Sequence, residues 1–555
     1  MTEKLKGLSA LPLGGVGEIG MNLMVYECDG EMIVVDAGLT FPDDFSPGVD
    51  VVLPDIKYIR DNIKRLKAII ITHAHEDHIG GLPYLWEDMP VPVYLTRFAR
   101  LVLESKLDQV GLSGVVPIKE VVPGKPFTVG KFNIEYVRVT HSIPDAFGLA
   151  IRTPYGTLVH TGDYKMDTRP ALNDQTDTNR WRQIGDEGVL AMLGDSTNIF
   201  KPNTSGEEAE VSASLDAIMA GRKNRIIFCT FASNVGRLKT AVELAAKHGR
   251  KSCFVGRSMH KMMGYSRDCG IIADKLLDNT VSLDEGIKMP RGKVMFIVTG
   301  SQGEAKAALA RISRGEDRVP VDAGDTVLMS SKVIPGNERV IYHMMNRLMK
   351  LGAEVIHEKS DFVHVSGHAA QDEIKMMYEL VRPQIAVPVH GEYSHLRKHA
   401  DMALSWGVPQ AFVIENGKRM HFAPGKPQIL DEGIQTGRMY VDGLNILDED
   451  KFILRERRQM ATDGLVSVSV VINGRGQLLG KPVLRTKGLI DEDLQGDLLK
   501  EAREEALHAL QNAFGGGVID DINLAEETLR IATRRVFLRE RGRKPVTVPA
   551  VIRVG

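Results

Sequence analysis

Short apolar runs separated by turn residues fill the first third of the chain. Residues 21–28 and 31–36 predict a hairpin about Asp29-Gly30, a favoured turn pair. Residues 67–71 predict a buried strand that runs straight into Thr72-His73. The stretch 132–140 alternates and ends at His141, 156–160 ends at Thr161-Gly162-Asp163, and 189–193 leads into Gly194-Asp195-Ser196. The ends of these strands deliver histidines or carboxylates, and the hairpin delivers Asp36. From about 210 to 355 the pattern changes. Strands at 225–230, 251–255, 293–299 and 326–330, with an amphipathic helix at 237–248, predict an inserted α/β domain with a parallel sheet. Ligand-type residues then return at His364, His368 and His390, the last two placed near strand ends. A site drawn from 36–195 and again from 364–390 implies one domain interrupted by another.

The expected divisions are 1–209 and 356–425 for the interrupted domain and 210–355 for the insert. Residues 426–452 read as an irregular linker and 453–555 as a small α+β domain. In that tail, 466–472 predicts a strand, 491–511 and 523–539 predict helices, and 545–554 predicts a last strand. At 555 residues the chain is too long for one ordinary core, and about 150 residues per domain suggests three or so.

Composition narrows the class. Hydrophobic content is 43%, charge 26% and net charge −2, ordinary for a globular protein and unlike one held to nucleic acid by bulk charge. No apolar run approaches the roughly 18 residues that span a bilayer. The four cysteines form no C-x-x-C pair and predict buried thiols in a reducing compartment, hence the cytoplasm and no membrane. The stretch 250–267 carries six basic or histidine side chains and no acid, and reads equally as a solvated or a phosphate-facing surface.

The run His73-Ala74-His75-Glu76-Asp77-His78 changes the picture most. Neutral imidazole and carboxylate suit zinc and similar ions, and alternate spacing lets His73 and His75 converge on one metal while Asp77 and His78 face a second. With His141, Asp163 and His390 there are seven candidate ligands, too many for one tetrahedral ion. Two metals would polarise a phosphoryl oxygen and generate hydroxide at neutral pH, so a hydrolase with phosphate esters as the preferred substrate is expected. Gly15 to Gly20 also matches G-x-G-x-x-G, but residues 21–36 predict a hairpin where a dinucleotide fold needs a helix. A glycine loop beside the metal site is the expectation. Other histidines, His160, His395 and His399 among them, read as core or surface residues. The three tryptophans are scattered, leaving Phe231 as the best single candidate for stacking a base.

H-x-H-x-D-H, with Asp36, His141 and Asp163, resembles the metallo-β-lactamase superfamily pattern. The insert with Asp195, Ser366-Gly367-His368 and Pro388-Val389-His390-Gly391 resembles its β-CASP branch. LPLGGVGEIGMN, TFASN (230–234), TGSQGE (299–304) and the tail are similar to the bacterial ribonuclease J family. The resemblance covers nearly the whole chain. It implies an αββα sandwich with an inserted β-CASP domain and a C-terminal α+β domain. It also implies a zinc-dependent ribonuclease with 5′-to-3′ exoribonuclease and endoribonuclease activity. His73, His75, His141 and Asp163 would hold the first zinc, and Asp77, His78, Asp163 and His390 the second, with manganese as an alternative. Asp36 would orient a ligand histidine. Asp77, Asp195 and His368 would be catalytic, with hydroxide attack on the phosphodiester leaving 5′ phosphates. Phe231, Ala232 and Ser233, with His364, Val365, Ser366, Gly367 and His368, would contact RNA, preferably with a 5′ monophosphate. His390 would point to RNA over DNA. Gly48, Asp50 and Asp442 would match a structural calcium site. Homodimers or homotetramers, and association with an RNA helicase or the ribosome, follow from the same likeness. Two other readings fit the motifs: a hydrolase of a small ester, and a catalytically silent RNA-binding scaffold.

Overall fold

Strands whose side chains are buried on both sides stack as two facing sheets in a computed structural model, which describes residues 6–43, 46–172, 175–334, 336–443, 445–448, 452–492, 494–515 and 517–555. The expected hairpin is present: Leu23–Cys28 pairs antiparallel with Glu31–Val35, and Cys28 faces Glu31 across the turn. It lies inside an eight-stranded sheet that also holds Leu8–Gly14, Leu66–Ile70 and Arg419–Ala423. A seven-stranded sheet contains Phe132–Arg138, Phe147–Thr153, Gly156–His160, Ala191–Asp195 and Ile385–Val389. Tyr26, Ile33 and Ile70 from the first sheet meet Tyr136, Leu149, Leu193 and Val387 from the second in one core. Helices Thr178–Glu187, Gln371–Val381 and Tyr393–Ser405 cover the outer face of the second sheet through Trp181, Ile184, Met377 and Ala403.

Both sheets draw strands from before residue 200 and after residue 384. The intervening residues build a separate five-stranded sheet whose pairings are all parallel: Ile226–Cys229, Lys251–Val255, Val294–Val298, Thr326–Met329 and Glu354–Ile356. Crossover helices bury Leu238, Ala241, Val242 and Ala245, and Ile341, Met344, Met345 and Leu348, at helical spacing. Arg250 is an internal strut, its guanidinium donating to the carbonyls of Arg222, Asn224 and Val294. It cannot contribute to a phosphate-facing surface.

The two parts of the interrupted sandwich are fastened by a buried charge cluster. Arg419, fully buried, reaches Glu27 at 3.2 Å, Glu432 at 2.8 Å and the Tyr58 hydroxyl at 2.8 Å, while Arg65 holds Glu27 at 2.5 Å. Removing Arg419 leaves the buried Glu27 with Arg65 alone as its cation and opens a cavity, so Arg419→Ala should cost about 3 kcal/mol of stability. Denaturant unfolding measures it, and a change under 1 kcal/mol would mean the cluster contributes little.

The chain divides by its contacts into two units, 1–40 with 53–437, and 41–52 with 438–555. In the second, Leu465–Ile472 buries every other residue and pairs with Val483–Lys487 and with Val546–Arg553. Helices Gly496–Ala513 and Ile522–Arg541 pack on its inner face through Ala502, Ala506, Leu529 and Val536. The stretch read as an irregular linker contains strands instead. Gln428–Leu430 extends the eight-stranded sheet, and Arg438–Asp442 pairs with Asn445–Asp448. Pro424, Pro427 and the glycines obscured these strands because they sit at the turns between them. The strand Val483–Lys487 and the helix Phe452–Asp463 went unpredicted.

No helix among the described residues is long and apolar enough to cross a membrane. Cys28, Cys229 and Cys253 are buried free thiols, and Cys269 is half-buried and free.

Candidate metal centre

Gly156–His160, Ala191–Asp195 and Ile385–Val389 run parallel as neighbours, so Asp163, Asp195 and His390 emerge together beyond their carboxyl ends. Phe132–Arg138, two antiparallel pairings away, points the same way and brings His141. Leu66–Ile70 in the facing sheet brings the histidine run. Ligands collecting beyond strand ends of common sense is the usual outcome for such sheets.

Two sets of donors result. His73, His75, His141 and Asp163 form one, and Asp77, His78, Asp163 and His390 the other, the ligand atoms of each set within 4.8 Å of one another. In the first, His75 Nδ1 stands 3.2 Å from His73 Nε2 and 3.0 Å from His141 Nε2, and Asp163 Oδ2 lies 3.7 and 3.8 Å from those two Nε2 atoms. In the second, Asp163 Oδ2 is 3.1 Å from His78 Nε2 and 3.2 Å from His390 Nε2, and Asp77 Oδ2 is 3.5 and 3.4 Å from the same nitrogens. Donors about 2.0–2.1 Å from a tetrahedral zinc are about 3.3 Å apart. Both sets therefore fit a zinc-sized ion, and Asp163 is common to them.

Hydrogen bonds behind the ligands aim them. His78 Nδ1 is 2.7 Å from Asp36 Oδ2, so its Nε2 lone pair faces inward. Asp36 also accepts from Thr72 N and Oγ1, each at 2.8 Å, and Thr72 Oγ1 meets His73 Nδ1 at 3.0 Å. Asp36 thus orients two ligand histidines, one more than expected. His141 Nδ1 donates to the Gly367 carbonyl at 2.7 Å. Asp36 and His390 hold left-handed backbone, at φ 61° and 54°. Such strain costs about 1–3 kcal/mol per residue and persists here under bonds from Asp36 N to Ile70 O and from His390 N to Gly15 O. The last of these shows what the glycine run does. Val16–Gly17 pairs with Gly391–Glu392, no helix follows, and the loop packs beside the centre.

Burial and neighbouring charges together set the protonation of the candidate ligands. Burial holds His73 and His141 well below the ordinary imidazole value and His75 at about 4, so all three are neutral donors. Burial also opposes charge on His78 and His390, but Asp163 and its neighbouring carboxylates outweigh it and raise both. Burial would raise Asp77 and Asp163, yet His78 and His390 hold both carboxylates ionised.

A third group stands beside these sets. Asp195 Oδ2 is 2.8 Å from His368 Nδ1, and Asp163 Oδ2 is 3.9 Å from the same atom. His368 does not lie near a strand end, contrary to the reading from sequence. It sits in an irregular loop between Glu354–Ile356 and Gln371–Val381, which has no ladder to join. The loop is pinned instead. Asn198 Nδ2 donates to His368 O at 2.9 Å and to Ser366 Oγ at 2.8 Å, and His368 N donates to Ser366 Oγ at 3.2 Å. Gly367 is required here, because a Cβ would fall 2.9 Å from Ser142 Cβ and 3.0 Å from His141 Cε1.

The expected RNA contacts divide. His364 is half-buried, with its Nδ1 buried and unpartnered. Val365 is buried against Gly206 and cannot offer its side chain to a ligand. Phe231, Ala232 and Ser233 form a half-buried turn before Val235–Lys247. Asn234 and Gly236, just beyond, line a cleft with His141, Lys165 and Gly367. The calcium candidates do not fit that ion. The Arg457 guanidinium donates to Gly48 O at 3.2 Å and to Asp442 at 2.5 Å, and Asp50 accepts from Gly443 N. A fixed cation already engages Gly48 O and Asp442, and a backbone N–H engages Asp50.

Asn22, Thr72, Thr197 and Asn198 were missed as site residues. Asn22 Nδ2 lies 3.0 Å from His78 Nε2, and Thr197 Oγ1 donates to Asp195 at 2.7 Å. Their sequence signals were slight: Asn22 ends LPLGGVGEIGMN, Thr72 precedes the histidine run, and Thr197 and Asn198 follow Gly194-Asp195-Ser196.

Comparison with known proteins agrees with this arrangement. Residues 32–178 match a beta-lactamase superfamily domain, and 223–348 match the beta-CASP domain of ribonuclease J. Residues 352–408 match a Zn-dependent metallo-hydrolase RNA specificity domain, and 452–554 match the ribonuclease J C-terminal domain. A crystal structure of a protein of unknown function from Enterococcus faecalis aligns with a TM-score of 0.53 at 16% identity, covering 75% of this chain and 100% of its own, a likeness of fold. Ribonuclease J of Sinorhizobium meliloti is 42% identical over 98% of this chain and 97% of its own. Ribonuclease J of Synechocystis is 40% identical over 98% and 86%, and that of Corynebacterium glutamicum 37% over 98% and 76%. With its metallo-β-lactamase sandwich, β-CASP insert and two clustered sets of candidate metal ligands, the chain belongs to the ribonuclease J family.

Proposed function

We propose that the protein is a two-metal ribonuclease that trims RNA from the 5′ end and also cuts internally at the same site, leaving 5′ phosphates. The observation that carries this reading is the pair of donor sets sharing Asp163, with the His368–Asp195 pair beside them. Two divalent ions held there, zinc or manganese, would supply Lewis acidity and nucleophilic water at neutral pH.

The chain's own residues do the rest. His368 bonds Asp195 through Nδ1, which leaves Nε2 to carry a transferable proton. Burial disfavours its charge, but Asp195 and Asp163 outweigh burial and raise its pKa above the ordinary imidazole value. The imidazolium is therefore available to protonate the departing 3′ oxygen. A small ester would need neither this acid nor the inserted domain. A silent scaffold would not need the complete ligand set.

A 5′ monophosphate suits the surroundings of His364. Burial depresses its pKa, and Arg237, Lys165, Lys332 and Lys201 depress it further, so the space around it is positive. Ser366 Oγ accepts two hydrogen bonds and keeps its own proton to donate. Product ladders from 5′-monophosphate and 5′-triphosphate forms of one RNA test both points. The wild type should release nucleotides from the monophosphate form preferentially. His364→Ala should shrink that preference roughly tenfold, the worth of one charge-assisted bond. No RNA cleavage with zinc or manganese would overturn the ribonuclease reading, and an unchanged preference would remove His364 from the phosphate pocket. Cytoplasmic location, assembly into dimers or tetramers, and contact with a helicase or the ribosome are proposed on family likeness.

A further inference from the structure

The turn that carries Asp195, Thr197 and Asn198 ends in an exposed aromatic ring. Phe200 is 55% exposed, although it lies only two residues beyond Asn198, which bonds both His368 and Ser366. That spacing puts its backbone within about 7 Å of Asn198. The ring is also held in place. It meets His395 edge to face, with centroids 5.1 Å apart and planes at 73°. His395 is itself braced, its Cβ 2.9 Å from where a side chain on Gly391 would begin, one residue past the ligand His390. No carboxylate bonds to either ring among the described residues. Lys201 follows directly, its ammonium kept on the Ser205 carbonyl and adding to the positive field around His364.

The exposed ring, fixed by its contact with His395, offers a flat apolar face to solvent. The centre takes a phosphodiester, so a nucleobase joined to the phosphates beside the cut is the nearest flat apolar body. Every base has a π-face, which makes stacking on one fixed ring independent of sequence. We propose that Phe200, steadied by His395, is a stacking platform for a base of the bound strand next to the cleaved linkage. This rests on the ribonuclease reading above. It also replaces the expectation that Phe231, which is half-buried, fills that role.

An abasic scan tests it. Four 5′-monophosphate oligoribonucleotides, each with one abasic residue at positions 1 to 4, are compared with the intact strand. For the wild-type protein one position should raise KM roughly tenfold, in line with one lost stack. For Phe200→Ala the intact strand should already show that raised KM, with a smaller change in kcat, and the abasic step should vanish. Phe200→Trp should restore both the low KM and the step. A wild type indifferent to every abasic position would overturn the platform, as would a Phe200→Ala protein that still registers the missing base. A changed oligomeric state in Phe200→Ala would assign the ring to an interface between copies and likewise overturn it. Failure of the wild type to cut any of these strands would overturn the ribonuclease reading and the platform together.

Discussion

Asp163→Ala should abolish RNA cleavage, on the order of a 10⁴-fold loss or more, and should strip metal from both donor sets. Its Oδ2 is within 3.1–3.8 Å of a nitrogen on His73, His78, His141 and His390, and it is the one residue common to both sets. Its removal takes a ligand from each ion and leaves histidines crowded without a counter-charge. The loss corresponds to the several kcal/mol of transition-state stabilisation that paired metals supply. Metal analysis of the purified protein should fall from two ions per chain to one or none, in step with turnover. Two retained ions with full activity would mean that another group bridges, and the centre as drawn would be wrong. Circular dichroism separates this from unfolding.

His368→Ala should lose turnover by about 10²–10⁴-fold, the range for a positioned general acid, and should keep both ions. His368 is absent from both four-donor sets and is held by Asp195, Ser366 and Asn198. Deleting its imidazole removes the proton donor and leaves every donor that the two sets require. Metal content measured beside steady-state kinetics decides the outcome. Parallel loss of metal and turnover would reassign His368 as a ligand. Unchanged turnover would move the acid elsewhere. The two substitutions separate residues that lie less than 4 Å apart but have different duties.

These duties were unequally visible in the amino-acid order. His73, His75, Asp77 and His78 lie within six residues, so the local period of strand and turn was enough to bring them to one place. The alternation of strands and helices between 226 and 356 likewise announced a parallel sheet, because buried parallel strands read as short continuous apolar runs. His390 was read as a candidate ligand with the others, whereas Asp195 and His368 took their catalytic roles from likeness to a family. Nothing in their local pattern separates them from His399, which the fold buries between Ser196 and Tyr378.

Local order, then, settled which ligand chemistry was present, since that depends on neighbours a few residues apart, and the change of pattern between 210 and 355 with the return of ligand-type residues after it marked the insert. Folding over long separations settled which groups meet. It set Asp36 behind His73 and His78, pinned the His368 loop through Asn198, put Arg457 on the oxygens expected to hold calcium, and left Phe200 exposed beside the centre. Each of these joins segments whose own periods are silent about one another, and only the packing of sheets and loops brings them within reach of a hydrogen bond or a ring contact.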